Sequence, residues 1–223
     1  MKKFNFVKLD ETILPTAKGK NQDGFRFYSI DGKNFPSVTS VLGIKKKKEL
    51  ANWRQSIGEN VANWEMGRAA RRGKSTHTLV EQYLKGETPS ERSVLPLGLF
   101  KLMRPYVDQI DNIHMIEQVM YSKELGLAGQ TDCIAEYNGK LSVIDFKTAN
   151  KERKESWIDN YFLQCTAYAI MIEERTGIPV PQIVIVIAGD EGEQIFVEQR
   201  DNWTSQLREA INEYQRRKLF GHA

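Results

Sequence analysis

The stretch AGQTDCIAEYNGKLSVIDFKTA, residues 128–149, constrains the fold of this chain more than any other segment. Asn138-Gly139 stands between two alternating apolar segments. That dipeptide is the strongest short-range signal for a two-residue hairpin turn, because both central positions need positive φ. The spacing predicts strands over about 128–137 and 140–147. With Tyr137 paired to Lys140, Asp132 falls directly opposite Asp145, on the same face, with Cβ atoms about 4.5–5.5 Å apart. Lys147, two residues beyond Asp145, projects from that face as well. Like charges facing each other across a sheet destabilise it. A divalent cation between them reverses the sign of that interaction, since hard cations prefer carboxylate oxygens. A lysine beside such a cation is placed to hold a water or a phosphate oxygen. The competing reading, two exposed carboxylates merely screened by Lys147, leaves the coincidence of registry, spacing and lysine unexplained.

Around this hairpin the pattern shifts between strand and helix. FRFYSIDGKNFPSVTSVLG reads as a short hairpin about Asp31-Gly32, a loop at Pro36 and a helix start at Ser37 or Thr39. From Glu49 to Gly86 the pattern is helical, with Trp53, Ile57, Val61 and Trp64 at helical spacing. Gly73 is expected to interrupt it, with Ser75 as a cap and Leu79, Val80, Tyr83 and Leu84 as a buried face. A helix over about 97–111 and a strand over about 113–121 lead into the Asn138-Gly139 hairpin. A long helix over about 155–175, strands over about 182–188 and 193–198, and a helix to about 219 complete the order. The expected fold class is α/β, a mixed central sheet with helices on its faces and a helical N-terminal region. One domain is expected, with a hairpin and helices over about 1–111 and the sheet with its flanking helices over about 112–223.

Composition narrows the function classes. The 223 residues are 40% hydrophobic and 27% charged, ordinary for a soluble globular chain. No apolar run is long enough to span a bilayer, and the first residues lack a signal core, so no membrane partner is expected. Cys133 and Cys165 supply neither a disulfide framework nor a four-cysteine metal site, which suits a reducing, intracellular compartment. The net charge of +3 decides little. Its distribution says more: basic residues bunch at Lys45 to Lys48, at Arg68, Arg71, Arg72 and Lys74, and at Arg216 to Lys218. Such clusters hold phosphates, although each taken alone is more often a solvated helix face.

Two further positions carry chemistry. Gln164 and Tyr168 lie one helical turn apart and present an amide and a phenol on one face. His77 lies on the side of Val80 and Leu84, with Glu81 one turn away. Alone, such a histidine is more often a satisfied core residue; beside the hairpin it becomes a third side-chain ligand.

Taken in order, His77, GQTD ending at Asp132, DFK from Asp145 to Lys147, and QCTAY from Gln164 to Tyr168 resemble the PD-(D/E)XK nuclease superfamily. The resemblance is to its RecB-like branch, and within that to the mitochondrial genome maintenance and phage exonuclease group. It extends over about residues 35–217. It implies a restriction-endonuclease-like fold and a deoxyribonuclease dependent on Mg2+ or Mn2+, exonucleolytic and acting on single-stranded DNA or DNA ends. The implied processes are replication, recombination or repair, and an endonuclease on duplex DNA or a non-catalytic binding protein of the same fold are the alternatives.

In that scheme His77, Asp132, Asp145 and the carbonyl of Phe146 hold the metal. Lys147 orients a water or stabilises developing charge. Gln164 positions Lys147 or the water, and Tyr168 contacts the phosphate or supports Lys147. Glu117 reaches a second metal or holds a water, and Glu81 orients His77. Arg68, Arg71, Arg72 and Lys74 grip a nucleic-acid backbone. No iron–sulfur cluster is implied, because two cysteines cannot supply its ligands.

Overall fold

The computed structural model describes residues 2–22, 24–90 and 92–220. A small antiparallel sheet comes first, β1 (Lys18–Gln22), β2 (Phe25–Ile30) and β3 (Lys33–Pro36), in that spatial order. Helix α1 (Val38–Gly43) follows at once. Its N-cap is Ser37, whose hydroxyl accepts from the Ser40 N–H at 3.1 Å, satisfying one of the orphan donors of the first turn.

Helices α2 (Lys47–Ile57) and α3 (Glu59–Leu84) are separated by Gly58 alone, at φ 84°. The predicted break at Gly73 and cap at Ser75 do not occur, and α3 runs through both. A glycine inside a helix costs only about 1 kcal/mol relative to alanine, and here its bare Cα faces Thr148. Helix α4 (Val94–Val107) starts and ends earlier than expected, because the next strand already begins at Ile110.

The main sheet has five strands in sequential order: β4 (Ile110–Ser122), β5 (Leu127–Tyr137), β6 (Lys140–Ala149), β7 (Gln182–Gly189) and β8 (Gly192–Gln199). All neighbours are antiparallel except β6 and β7, which are parallel. Helix α5 (Asp159–Thr176) makes the crossover between those two, as a parallel pair requires. Helix α6 (Asp201–Leu219) closes the chain. The turn at Asn138 and Gly139 has φ of 50° and 74°, and Tyr137 pairs with Lys140 as the dipeptide predicts.

Both faces of the sheet are covered. Ile134, Val143, Ile183, Ile185 and Ile187 pack with α1, α5 and α6. Cys133, Ile144, Phe146, Val184 and Val186 pack with the second half of α3 and with α4. Strand β7 is buried along its whole length, which is why it reads as an unbroken apolar run rather than an alternating one. The architecture is thus an α/β fold with a mixed central sheet between helical layers, of restriction-endonuclease-like type. Among the described residues no helix is long and apolar enough to cross a membrane.

Candidate metal centre

The site lies where three strands part. Between β4 and β5, Ile116 pairs with Cys133 and Gln118 with Thr131, while Glu117 and Asp132 between them drop out of the ladder. Between β5 and β6 the pairing ends at Cys133 and Ile144, one position short of the two aspartates. The expectation that Asp132 and Asp145 face each other across a continuous ladder is therefore corrected. Instead the Asp132 carboxylate takes over the role of a ladder acceptor, and its Oδ2 accepts from the Phe146 N–H at 2.9 Å.

Glu117 has φ 51°, the left-handed region, in the middle of a strand. For a non-glycine residue this costs about 1–2 kcal/mol. Gln130 holds it there, donating through Nε2 to the Glu117 carboxylate at 2.7 Å and to its carbonyl at 3.3 Å. The bend aims the carboxylate at α3. Nδ1 of His77 is 3.7 Å from Glu117 Oε1 and 3.6 Å from Asp132 Oδ2. One ligand atom from each of His77, Glu117 and Asp132 lies within 4.8 Å of the others, a spacing that fits one cation. Two hard carboxylates and an imidazole suit magnesium or manganese as donors.

Asp145 forms the floor beside this cluster. It is 1% exposed. Its Oδ1 accepts from Lys147 Nζ at 2.6 Å and from Gln164 Nε2 at 3.3 Å. Its Oδ2 is buried and also lies 2.6 Å from Lys147 Nζ, so the ammonium straddles both carboxylate oxygens. Lys147 Nζ also lies over the Tyr161 ring, 5.1 Å from its centroid. Gln164 additionally donates to the Tyr168 hydroxyl at 3.3 Å. Tyr168 is buried, with its ring lying against Gly129.

The electrostatics follow from this crowding. Burial lowers the pKa of His77, but the Asp132 charge and then Glu117 outweigh it and raise it to about 9. Burial pushes Asp145 up to about 6, against the pull of Lys147 and with the push of Asp132. The pKa of Lys147 is raised as well: burial opposes its charge, but Asp145 and Asp132 outweigh burial and hold the ammonium protonated. The site holds an excess of negative charge that a cation relieves.

Of the residues singled out in the sequence, the structure brings together His77, Glu117 and Asp132, and beside them Asp145, Lys147, Gln164 and Tyr168. Phe146 joins through its N–H, while its side chain is buried in the core on the α3–α4 side. Gln164 contacts Asp145 rather than Lys147, and Tyr168 is too enclosed to reach out for a phosphate. Glu81 does not orient His77; its Oε1 accepts from Lys85 at 2.7 Å, one turn on, and the carboxylates near His77 are Glu117 and Asp132. Arg68 lies nine residues before His77, two and a half turns, hence on the opposite side of α3. Arg71, Arg72 and Lys74 precede His77 on the same helix. Tyr161 and Gln130 were not anticipated. For Gln130 the signal is its place inside GQTD; for Tyr161 it is the helical spacing to Gln164.

Comparison with known proteins agrees with this geometry. Residues 51–221 match the PD-(D/E)XK nuclease superfamily. The chain is 31% identical over 172 residues to human mitochondrial genome maintenance exonuclease 1, covering 70% of this chain and 50% of that protein. The mouse protein of the same name is 28% identical over 178 residues, covering 73% of this chain and 52% of its own length. The Xenopus tropicalis one is 29% identical over 176 residues, covering 70% and 49%. The chain thus spans about half the length of the curated relatives it matches.

Proposed function

Because the chain belongs to the PD-(D/E)XK nuclease superfamily, we propose that it is a metal-dependent DNA exonuclease that hydrolyses phosphodiester bonds in single strands or at free ends. The observation that carries the reading is the meeting of His77, Glu117 and Asp132 beside the buried Asp145–Lys147 pair. The name of the relatives, exonucleases of genome maintenance, supports the finer part of this reading, including a role in DNA replication, recombination or repair.

His77, Asp132, Asp145 and Glu117 would hold magnesium or manganese, with the Phe146 carbonyl as a further oxygen. A divalent cation supplies Lewis-acid polarisation of a phosphate and acidifies water at that position. The protein's own groups do the rest. Asp145 fixes the Lys147 ammonium at 2.6 Å, so its charge stands ready at the phosphate without reorganisation. Gln164, tied to Tyr168, fixes Asp145 in turn. Gln130 keeps Glu117 in its strained conformation, aimed at His77.

The test is incubation with end-labelled linear and covalently closed circular single strands, with and without magnesium. The expected result is loss of the linear strand alone, abolished by chelation. Equal cutting of the circle makes the enzyme an endonuclease, and no cutting of either strand removes the nuclease reading.

A further inference from the structure

Helix α5 meets strand β6 side chain by side chain. The chain turns back between the two, so residues late in β6 face residues early in α5. Asp145 meets Gln164, whose Nε2 donates to it at 3.3 Å. Lys147, two residues further along the strand, meets Tyr161, three residues nearer the helix N-terminus. Tyr161, Gln164 and Tyr168 follow the i, i+3, i+7 spacing of a single helix face. Gln164 and Tyr168 are tied into the site by hydrogen bonds. Tyr161 is not: among the described residues its hydroxyl has no hydrogen-bond partner, so what it offers the site is its ring.

That ring has one charged partner. Lys147 Nζ lies over it, 5.1 Å from the centroid, inside the roughly 6 Å at which the negative face of a ring attracts an ammonium. Among the described residues the ammonium forms an ion pair with Asp145 alone. An ammonium has three N–H donors. A second carboxylate in place of Tyr161 would claim one of them. An aliphatic side chain would claim none, but it would attract nothing and leave a long side chain free to change rotamer. An aromatic face attracts the charge without accepting a conventional hydrogen bond, so it holds the cation and leaves a donor open. The Lys147 side chain is 21% exposed, enough for that donor to meet a group arriving from solvent. Core packing does not require this ring: Phe162 and Leu163 are buried, whereas Tyr161 is half-buried at the edge of the core.

We propose that Tyr161 is a positioning residue for Lys147. Its ring fixes the ammonium in one place and keeps one N–H donor free for the substrate phosphate, without itself touching the reacting atoms. The use of that donor rests on the nuclease reading; the contact between ring and ammonium does not.

The experiment has two arms. The first reads the contact by NMR in the full, metal-free chain labelled with carbon-13 lysine, where the ε-methylene signal lost in Lys147→Met identifies Lys147. A ring face shifts protons above it upfield. That signal is expected to move downfield in Tyr161→Leu and to stay near its wild-type position in Tyr161→Phe. The second arm is single-turnover cleavage of an end-labelled linear single strand with magnesium. Tyr161→Leu is expected to lower the rate roughly 2- to 30-fold, the span that about 0.5–2 kcal/mol of cation–π attraction gives, with manganese affinity by calorimetry unchanged. Tyr161→Phe is expected to keep most of the rate. On the Lys147→Met background, adding Tyr161→Leu is expected to cost nothing further, because the residue acts through the lysine. An unmoved Lys147 signal in Tyr161→Leu overturns the contact. An undiminished rate in Tyr161→Leu, an equal loss in Tyr161→Phe, or a further loss on the Lys147→Met background overturns the positioning role. A wild type that cleaves nothing while the signal moves removes the nuclease reading and keeps Tyr161 as the group that holds Lys147.

Discussion

Tyr168 and Gly129 share a space that admits a phenol ring or a β-carbon but not both: a Cβ on Gly129 would lie 2.6 Å from Tyr168 Cε1 and 2.9 Å from its hydroxyl oxygen. The glycine of G-x-x-D and the tyrosine of Q-x-x-x-Y are therefore one contact. Through Gln164 that contact reaches Asp145. Gly129→Ala must push a buried ring aside, and overpacking of this kind costs about 1–3 kcal/mol. The loss is expected to shrink when Tyr168→Ala is added, because the clash is gone. Urea titrations of the two single variants and the double variant give the coupling, and simple additivity would refute the shared contact.

Glu117 supplies a second prediction. At φ 51° glycine is at ease and alanine is not. In the metal-free protein Glu117→Gly is expected to be more stable than Glu117→Ala by about 1 kcal/mol. Both variants should lose manganese affinity by calorimetry. Equal melting temperatures would mean that the strand carries no strain at this position.

The ion pair of Asp145 and Lys147 makes the third. Two facing aspartates alone suggest that deleting either one relieves repulsion. With Lys147 Nζ at 2.6 Å the sign reverses for Asp145. Lys147→Met leaves a buried carboxylate without its partner, which costs up to about 3–5 kcal/mol in enclosed sites. The loss should be smaller at pH 5 than at pH 8, because a carboxyl whose folded pKa is raised contributes stability at low pH and loses it as pH rises. Single-turnover rates should fall by orders of magnitude while metal binding persists. A variant as stable as the wild type at pH 8 speaks against the pair.

His77 gives a pH prediction. Its pKa in the metal-free fold is raised from 6.5 to about 9. The folded state therefore holds a proton that the unfolded chain releases, and the histidine's contribution is complete below pH 6.5 and lost as pH rises toward 9. The melting temperature of metal-free protein should decline over that interval, and His77→Asn should flatten the decline. Manganese affinity should rise across the same interval, since the cation displaces the proton. Calorimetry in buffers of different ionisation enthalpy measures the proton released; none released removes His77 from the ligands.

How much of this was legible in the sequence depends on how local each signal is. Turn chemistry and alternation sit within a few residues, so the hairpin register from Tyr137–Lys140 to Cys133–Ile144 could be read directly. The shared face of Asp132, Asp145 and Lys147 followed from it. The central place of Glu117 could not, because it depends on a register shift between Asp111 and Met115 and on a positive φ with no glycine to announce it. Glu81 misled because it lies four residues from both His77 and Lys85, and the lysine pairs with it. Gly73 misled because a modest local propensity yielded to the packing of a long helix. At Trp53 and Trp64 helical spacing gave the helix correctly but carried no information on what, if anything, covers it.

The two-residue turn at Asn138 and Gly139 is exposed and far from any chemistry, the kind of place where chains usually accept insertions. Here it would not be silent. Strand faces alternate with every residue, so one added residue that shifts β6 against β5 turns Asp145 and Lys147 toward α4 and swings Ile144 and Phe146 into the charged fork. Length variation among chains of this kind should therefore collect in other loops, and this hairpin should keep its length even where its residues change.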